Sequence, residues 1–140
     1  MKTGITLFCL IFAMSSTTPD QEADRKAIEQ TIGYYFTASD NGDADALGRA
    51  FHPEAKMLLV RDGKLAEVTI PDWQDRIRKN PNPPTKANWR KVVSVDISGE
   101  AAVARVESDF ATFQFIDYMS LLKVDGEWKI VNKIFHRKEK

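Results

Sequence analysis

Two polar residues interrupt an otherwise apolar strand face near the end of the sequence. The stretch DGEWKIVNKIFH runs from Asp125 to His136. Because side chains in a β-strand point alternately to opposite faces, Asn132 and His136 share a face whose other members are apolar. Those members are Trp128, Ile130 and Ile134. An amide and an imidazole in an apolar wall predict either a ligand cavity or a buried hydrogen-bond network.

A carboxylate joins this pair if the preceding strand folds back onto it. Asp125-Gly126 is a two-residue type I′ turn signal, and it fixes the register of a hairpin. Asp117 then lies diagonal to both Asn132 and His136, within side-chain reach. The face predicted to point toward the helices holds Phe115, Asp117, Met119, Leu121, Trp128, Ile130, Asn132, Ile134 and His136. The outer face holds Ile116, Tyr118, Ser120, Leu122, Lys129, Val131, Lys133 and Phe135. A slip of one residue would reverse the two faces.

Several kinds of chemistry are open to these polar residues. Asp117 could orient His136 as a general base, or Asn132 and His136 could line a ligand cavity. Alternatively, Asn132 and His136 satisfy buried hydrogen bonds with Asp117 or with the backbone, and His136 could also be an exposed strand end. His52, the other histidine, is expected at a helix C-terminus, where the helix dipole stabilises it. We expect no metal site, because two distant histidines lack ligand spacing.

The overall composition excludes some classes of partner. The chain has 140 residues, which suits one domain, and Lys+Arg and Asp+Glu number 20 each. This balance gives no electrostatic basis for binding nucleic acid or an acidic lipid surface. Lys129 and Lys133 alternate on one strand face and are expected to be solvated. We predict no cofactor and find no nucleophile motif such as G-x-S-x-G.

The first 18 residues have the pattern of a secretory signal peptide. Lys2 gives a positive start, and a short apolar run follows from Ile5 to Met14. The alternative is a buried N-terminal helix or strand. We expect the chain to be exported, periplasmic or secreted, and to have no membrane association once residues 1–18 are removed. Cys9, the single cysteine, lies within the apolar run, so the mature protein would have no disulfide; lipidation of Cys9 is a disfavoured alternative.

Residues 19–140 are predicted to fold as helices followed by an antiparallel sheet. Apolar residues at helical spacing predict a long helix from Pro19 to Ser39, and Asp43 should cap a short helix that Pro53 stops. Asp62-Gly63 predicts a hairpin, and Pro71 opens a third helix. The remainder is typical of a meander of three or four strands. Helices segregated from an antiparallel sheet define an α+β domain.

The chain resembles the nuclear transport factor 2-like superfamily, and within it the branch called putative lumazine-binding proteins, close to polyketide-cyclase-like and ketosteroid-isomerase-like groups. The stretches that carry the resemblance are IEQTIGYYFTASDNGDADAL, FHPEAKM, VSVDISGEAAVARV and IDYMSLLKVDGEWKIVNKIFH. The resemblance implies a cone: a curved antiparallel sheet wrapped around a long N-terminal helix, with two shorter helices and a pocket at the open end. It also implies a homodimer through the outer sheet face. No stretch matches the catalytic motifs of the isomerase members.

We therefore interpret the sequence as an exported protein that binds a small, mostly apolar organic molecule. The predicted ligand-binding residues are Tyr35, Phe110, Asp117, Met119, Trp128, Asn132 and His136, and Trp73 and Trp89 are further candidates for the cavity rim. Two alternatives stay open. One is a cofactor-free isomerase, cyclase or hydrolase whose acid/base pair is Asp117 and His136. The other is a protein-interaction module that acts through the outer sheet face. Whether the protein is an enzyme is left undecided.

Overall fold

A computed structural model describes residues 19–81 and 85–140 of the chain. The predicted signal peptide, including Cys9, lies outside these ranges. Within them the elements, in chain order, are α1 (Pro19–Asn41), α2 (Ala44–Ala50), β1 (Phe51–Arg61), β2 (Lys64–Thr69), α3 (Ile70–Lys79), β3 (Trp89–Ser98), β4 (Ala101–Asp109), β5 (Phe113–Val124) and β6 (Glu127–Glu139). The α+β prediction is confirmed, with one long N-terminal helix and two shorter helices. No helix in the described ranges has the length and apolarity needed to cross a bilayer.

The short helices begin where capping residues satisfy their free backbone N–H groups. The Asp43 side chain accepts hydrogen bonds from the N–H groups of Asp45 (3.0 Å) and Ala46 (2.9 Å), as the sequence predicted. Helix α2 ends at Ala50, and His52 already belongs to β1. The expectation of a histidine at a helix C-terminus is therefore wrong. Its Nδ1 instead accepts a hydrogen bond of 3.2 Å from the Glu54 backbone N–H.

The six strands form one curved, open sheet in the order β2-β1-β6-β5-β4-β3. Every neighbouring pair is antiparallel except β1 and β6, which are parallel. The predicted meander is formed by the four strands β3–β6 of this sheet. Register shifts interrupt the pairing in three places, and such bulges add twist and curvature to a sheet.

One of these bulges changes which residues of β6 face the helices. The turn at Asp125-Gly126 forms as predicted, with both residues at positive φ (51° and 81°), and Leu121 pairs with Ile130 as expected. The next pair is Ser120 with Asn132, so Val131 is an extra residue in β6. Beyond it every pairing is displaced by one residue from the predicted register.

The displacement reverses the predicted faces for the last part of β6. Lys133 now lies opposite Met119 and Phe135 opposite Asp117, on the inner face. Asn132, Ile134 and His136 point to the outer face; Ile134 is 47% exposed. The predictions that Asn132 and His136 face the helices, and that Lys133 is solvated, are therefore wrong. Lys133 is only 4% exposed.

Helix α1 lies against the inner face of the sheet and holds the core together. Its buried residues Ile28, Ile32 and Tyr35 pack with inward side chains of β4, β5 and β6. The Thr31 hydroxyl donates a hydrogen bond of 2.9 Å to the Trp128 carbonyl oxygen on β6. The Arg25 guanidinium donates one of 3.0 Å to the Val95 carbonyl oxygen on β3. These contacts fix the helix across the sheet.

Candidate functional site

A cavity of about 540 Å³ lies between the C-terminal part of α1, α3 and the inner face of the sheet. Four phenylalanines form much of its wall. Phe110 and Phe113 stack with ring centroids 4.6 Å apart, and Phe113 meets Phe115 edge to face at 5.2 Å. Phe115 in turn meets Phe135 edge to face at 5.5 Å. Such offset and edge-to-face contacts hold aromatic rings in fixed positions and give the cavity a rigid apolar surface.

Three buried polar side chains from three elements meet at this wall. Tyr35 comes from α1, Asp117 from β5 and Lys133 from β6. The Tyr35 hydroxyl donates a hydrogen bond of 3.0 Å to Asp117 Oδ2. Lys133 Nζ donates to Asp117 Oδ1 at 2.9 Å and to the Tyr35 hydroxyl at 3.3 Å. Tyr35 and Lys133 line the cavity, whereas Asp117 is fully buried behind them. We call these three residues the buried triad.

The protonation states of the triad follow from burial and from its charges. Burial, and then the negative charge of Asp117, raise the pKa of Tyr35, so this side chain is a neutral phenol at neutral pH. Burial alone would lower the pKa of Lys133, but its interactions with Tyr35 and Asp117 outweigh burial and raise it. Because Tyr35 is neutral, the Asp117 carboxylate is the partner that holds Lys133 as an ammonium. Lys133 is consequently a charged donor and a poor nucleophile.

A second charged side chain, Arg90 of β3, lines the cavity next to the triad. It makes two hydrogen bonds to the Asp40 carboxylate at the end of α1, at 3.1 and 2.7 Å. A third, of 2.8 Å, goes to the hydroxyl of the fully buried Ser108. The guanidinium carbon lies 5.8 Å from the Tyr35 ring centroid and 5.5 Å from that of Phe110. Bidentate pairing of this kind fixes the guanidinium plane, so Arg90 is held in place against the aromatic wall.

Glycine at position 42 lets two segments beside the cavity approach each other closely. Gly42 follows α1 with φ of +64°, a helix-ending conformation in which glycine is strongly preferred. A Cβ built at this position would lie 1.9 Å from the Pro81 carbonyl oxygen. Only a residue without a side chain lets the segment after α3 approach α1 so closely. Gly42 itself is among the cavity-lining residues.

The structure brings together only part of the site predicted from the sequence. Tyr35 and Phe110 line the cavity, and Asp117 contacts it through its two partners in the triad. Met119 and Trp128 are buried in the core but are not among the described lining residues.

Asn132 and His136 are not part of this cavity. Both lie on the outer face of the sheet, and His136 is exposed there. The structure therefore does not bring Asp117 and His136 together, and the predicted acid/base pair does not form. Of the two predicted rim tryptophans, Trp73 lines the cavity, whereas Trp89 is 45% exposed.

Sequence reasoning missed Lys133, Arg90, Phe113 and Phe135 as site residues. The adjacent apolar residues Ile130-Val131 do not signal the bulge, because β5 has the same kind of pair at Leu121-Leu122 and pairs with β4 without a register shift. Nothing local identifies Arg90, whose partner Asp40 is 50 residues away. In residues 19–81 and 85–140, no three His, Cys, Asp or Glu side chains group as a metal site.

The sequence is similar to known proteins over most of its length. The pattern of the family described as "Putative lumazine-binding" matches residues 23–136. A nuclear transport factor 2-like (NTF2-like) protein of unknown function from Shewanella baltica OS155 is 32% identical and covers 89% of this chain and 100% of its own, with a TM-score of 0.72. An NTF2-like protein of unknown function from Methylobacillus flagellatus KT is 33% identical and covers 86% of this chain and 94% of its own, with a TM-score of 0.69.

A more distant similarity is to a protein with a named activity. A protein named aldolase FrzH, from Cladobotryum sp, is 24% identical over 110 residues, which are 79% of this chain and 88% of that protein.

Proposed function

Because the chain belongs to the family described as "Putative lumazine-binding", within the NTF2-like superfamily, we propose that it binds a small, mostly apolar organic molecule in the cavity between α1, α3 and the sheet. The observation that carries the proposal is the cavity itself. Its volume of about 540 Å³ falls in the range of small-molecule sites. Its surface combines an aromatic wall with a few fixed polar groups, which is the usual composition of such sites.

In this proposal the residues have distinct tasks. Phe110, Phe113 and Phe135 contact the apolar body of the ligand. Lys133 orients a polar group of the ligand, because it is the charged residue of the triad that lines the cavity. Asp117 acts as a positioning residue: it is too deeply buried to contact a ligand, but it holds the side chains of Tyr35 and Lys133 in place.

Native mass spectrometry of the purified chain tests the proposal, because it detects any copurified small molecule by its mass, whatever its chemical identity. Ser39, a small residue of α1, lines the cavity, so Ser39→Trp should fill part of it and abolish the extra mass. Glu29→Trp is the matched control, because it adds the same side chain to an exposed position of the same helix. Extra mass that persists in Ser39→Trp would contradict binding at this cavity.

An aldol-type reaction is a second candidate function, favoured by the charged donor Lys133 in the cavity and by the similarity to aldolase FrzH. In a retro-aldol cleavage the β-hydroxyl loses its proton to solvent hydroxide and becomes a carbonyl as the C–C bond breaks; the electron pair of that bond forms an enolate, which water then protonates. Lys133 would stabilise the oxygen of that enolate. The candidate is secondary because the described lining residues include no carboxylate or imidazole to accept the hydroxyl proton.

A fluorogenic aromatic β-hydroxy ketone tests this second candidate. We expect cleavage that is lost in the variant Lys133→Met/Asp117→Asn, and no covalent adduct after borohydride treatment, because Lys133 is an ammonium and does not form an imine. Cleavage that survives in the variant, or a borohydride-trapped adduct on Lys133, would contradict this role.

The outer face of the sheet supports a homodimer as a further part of the proposal. Four large apolar side chains are exposed there by 42–57%: Val103, Tyr118, Leu122 and Ile134. Exposed apolar patches of this kind commonly mark protein interfaces. Phe135, which was predicted from the sequence to lie on this outer face, lines the cavity instead.

Light scattering coupled to size-exclusion chromatography should give twice the chain mass for the unmodified chain, and Ile134→Asp should halve that mass. Val60→Asp, at a more exposed apolar position on β1, is the control; a monomeric unmodified chain would contradict the dimer.

Export through residues 1–18 completes the proposal. It is supported by the charged start and the apolar run of the sequence. N-terminal sequencing of the protein from the extracytoplasmic fraction should begin near residue 19. An intact N-terminus on protein recovered from the cytoplasm would contradict export.

A further inference from the structure

The charged side chains that line the cavity all have the same sign. Among the described lining residues these are Arg76, Arg90 and Lys133. The carboxylates that pair with the last two, Asp40 and Asp117, are not in the lining. The negative charges therefore lie behind the wall and the positive charges lie in it.

The hydrogen-bond directions in the triad make Lys133 the donor to the cavity. Tyr35 donates its proton to Asp117 and accepts one from Lys133, so its hydroxyl has no proton for a ligand. Lys133 has three ammonium protons, of which two go to Asp117 and Tyr35. The third goes to neither of these groups; Nζ lies 4.3 Å from the centroid of the Phe135 ring, and both Lys133 and Phe135 line the cavity.

Arg90 offers further donors of the same kind. Three of the five guanidinium N–H groups bond to Asp40 and Ser108, which leaves two on a side chain that also lines the cavity. Lys133 Nζ and the Arg90 guanidinium carbon lie 5.1 and 5.8 Å from the centroid of the same Tyr35 ring. Both charged donors thus lie against the same aromatic ring of the site.

We propose that the cavity selects aromatic or conjugated molecules with a weakly acidic oxygen, and that it binds them as the oxyanion with that oxygen at Lys133 Nζ. This inference rests on the proposed function and specifies its ligand class. A phenol, an enol or a carboxylic acid would meet the requirement, because each gives an oxygen that only accepts hydrogen bonds. The four phenylalanines suit the planar body of such a molecule, since ring faces and edges pack against them.

A fixed positive charge next to the oxygen should change the acidity of the bound molecule. An opposite charge within about 4–6 Å typically lowers the pKa of an acid by about 1–3 units. The ionisable groups that border or support the site come from five elements: Tyr35 and Asp40 of α1, Arg76 of α3, Arg90 of β3, Asp117 of β5 and Lys133 of β6. Each carboxylate among them is already paired with a cation, so the free donors face the ligand.

The probe 4-nitrophenol tests the inference, because its phenolate absorbs visible light. Its neutral isostere 4-nitroanisole, which has no acidic proton, is the matched ligand. We expect the purified chain to bind 4-nitrophenol about ten- to a hundred-fold more tightly than 4-nitroanisole above the bound pKa, as a charge-assisted hydrogen bond would give. The visible band should also appear about 1–2 pH units lower in the bound probe than in the free probe.

The variant Lys133→Met/Asp117→Asn should lose both the pH shift and the preference for 4-nitrophenol over 4-nitroanisole. Removing both charges avoids an unpaired buried carboxylate, and circular dichroism is used to check that the variant folds. Lys138→Met, at an exposed position of β6, should behave as the unmodified chain. Equal binding of both probes without a pH shift would overturn the inference and leave the proposed function intact. Absence of binding by both probes would contradict the proposed function as well.

Discussion

Replacing Lys133 by methionine should destabilise the fold strongly, because it leaves a carboxylate buried without its cation. The Lys133 and Asp117 side chains are 5% and 0% exposed. After the replacement, Tyr35 remains as the described hydrogen-bond donor to Asp117. Breaking a buried ion pair by removing one partner costs about 3–5 kcal/mol. For a domain of this size, that loss corresponds to a fall of roughly 10–20 °C in Tm.

A double-mutant cycle in urea isolates this effect. Lys133→Met, Asp117→Asn and the combined variant are unfolded in parallel, and the free energy of unfolding is followed by circular dichroism. The combined variant should be more stable than Lys133→Met, with a coupling of about 2 kcal/mol or more, because no charge is left unpaired. Lys138→Met is the control and should change stability by less than about 0.5 kcal/mol. If Lys133→Met costs no more than this control, the buried pair does not exist and our reasoning about the triad is refuted.

Three further predictions concern the same region of the structure. Tyr35 and Lys133 both have a raised pKa in the folded state, so each keeps its proton above the pH at which the unfolded chain loses it. Their contribution to the free energy of unfolding is therefore complete below about pH 10 and falls as the pH rises further. Tyr35→Phe should make this alkaline fall in the free energy of unfolding shallower, and an unchanged slope would contradict it. Gly42→Ala should cost about 2–4 kcal/mol in urea unfolding, because of its positive φ and the contact with Pro81; a neutral effect would show that this close approach is absent. Deleting Val131 should remove only the bulge and keep the later residues of β6 on their present faces. We therefore expect a cooperative unfolding transition whose free energy is about 1–2 kcal/mol lower, because the half-buried valine side chain is lost. Collapse of the fold would instead support a register without the bulge.

The helices and strands could be predicted from the sequence, whereas the pairing register of β5 with β6 was wrong by one residue beyond the bulge. The turn at Asp125-Gly126 requires two positive φ angles, which Asp and Gly adopt readily, so the hairpin and its first pairs were predictable. Asp117 lies on β5, which has no extra residue in this hairpin, and it was correctly predicted to face inward. No Gly or Pro stands next to Val131 to indicate a bulge. A single extra residue moves every later side chain of the strand to the opposite face from the one predicted.

The polar part of the site was out of reach for a different reason. Lysine is almost never fully buried unless it is paired, so a solvated Lys133 was the reasonable expectation. Its partner Asp117 lies 16 residues away and its other partner Tyr35 lies 98 residues away. Only the folded chain brings such residues together, and no local spacing contains that information. The aromatic wall has the same origin, because the bulge turns Phe135 inward to meet Phe115.

Reductive methylation of the unmodified chain, read out by mass spectrometry, tests most directly whether the bulge turns Lys133 toward the cavity. Surface amines react freely, whereas a buried ammonium paired with a carboxylate is both inaccessible and protonated. We predict that Lys133, which is 4% exposed, is modified far more slowly than the exposed Lys91 and Lys138. Modification of Lys133 at the rate of those two residues would place it on the outer face and contradict the account of the site.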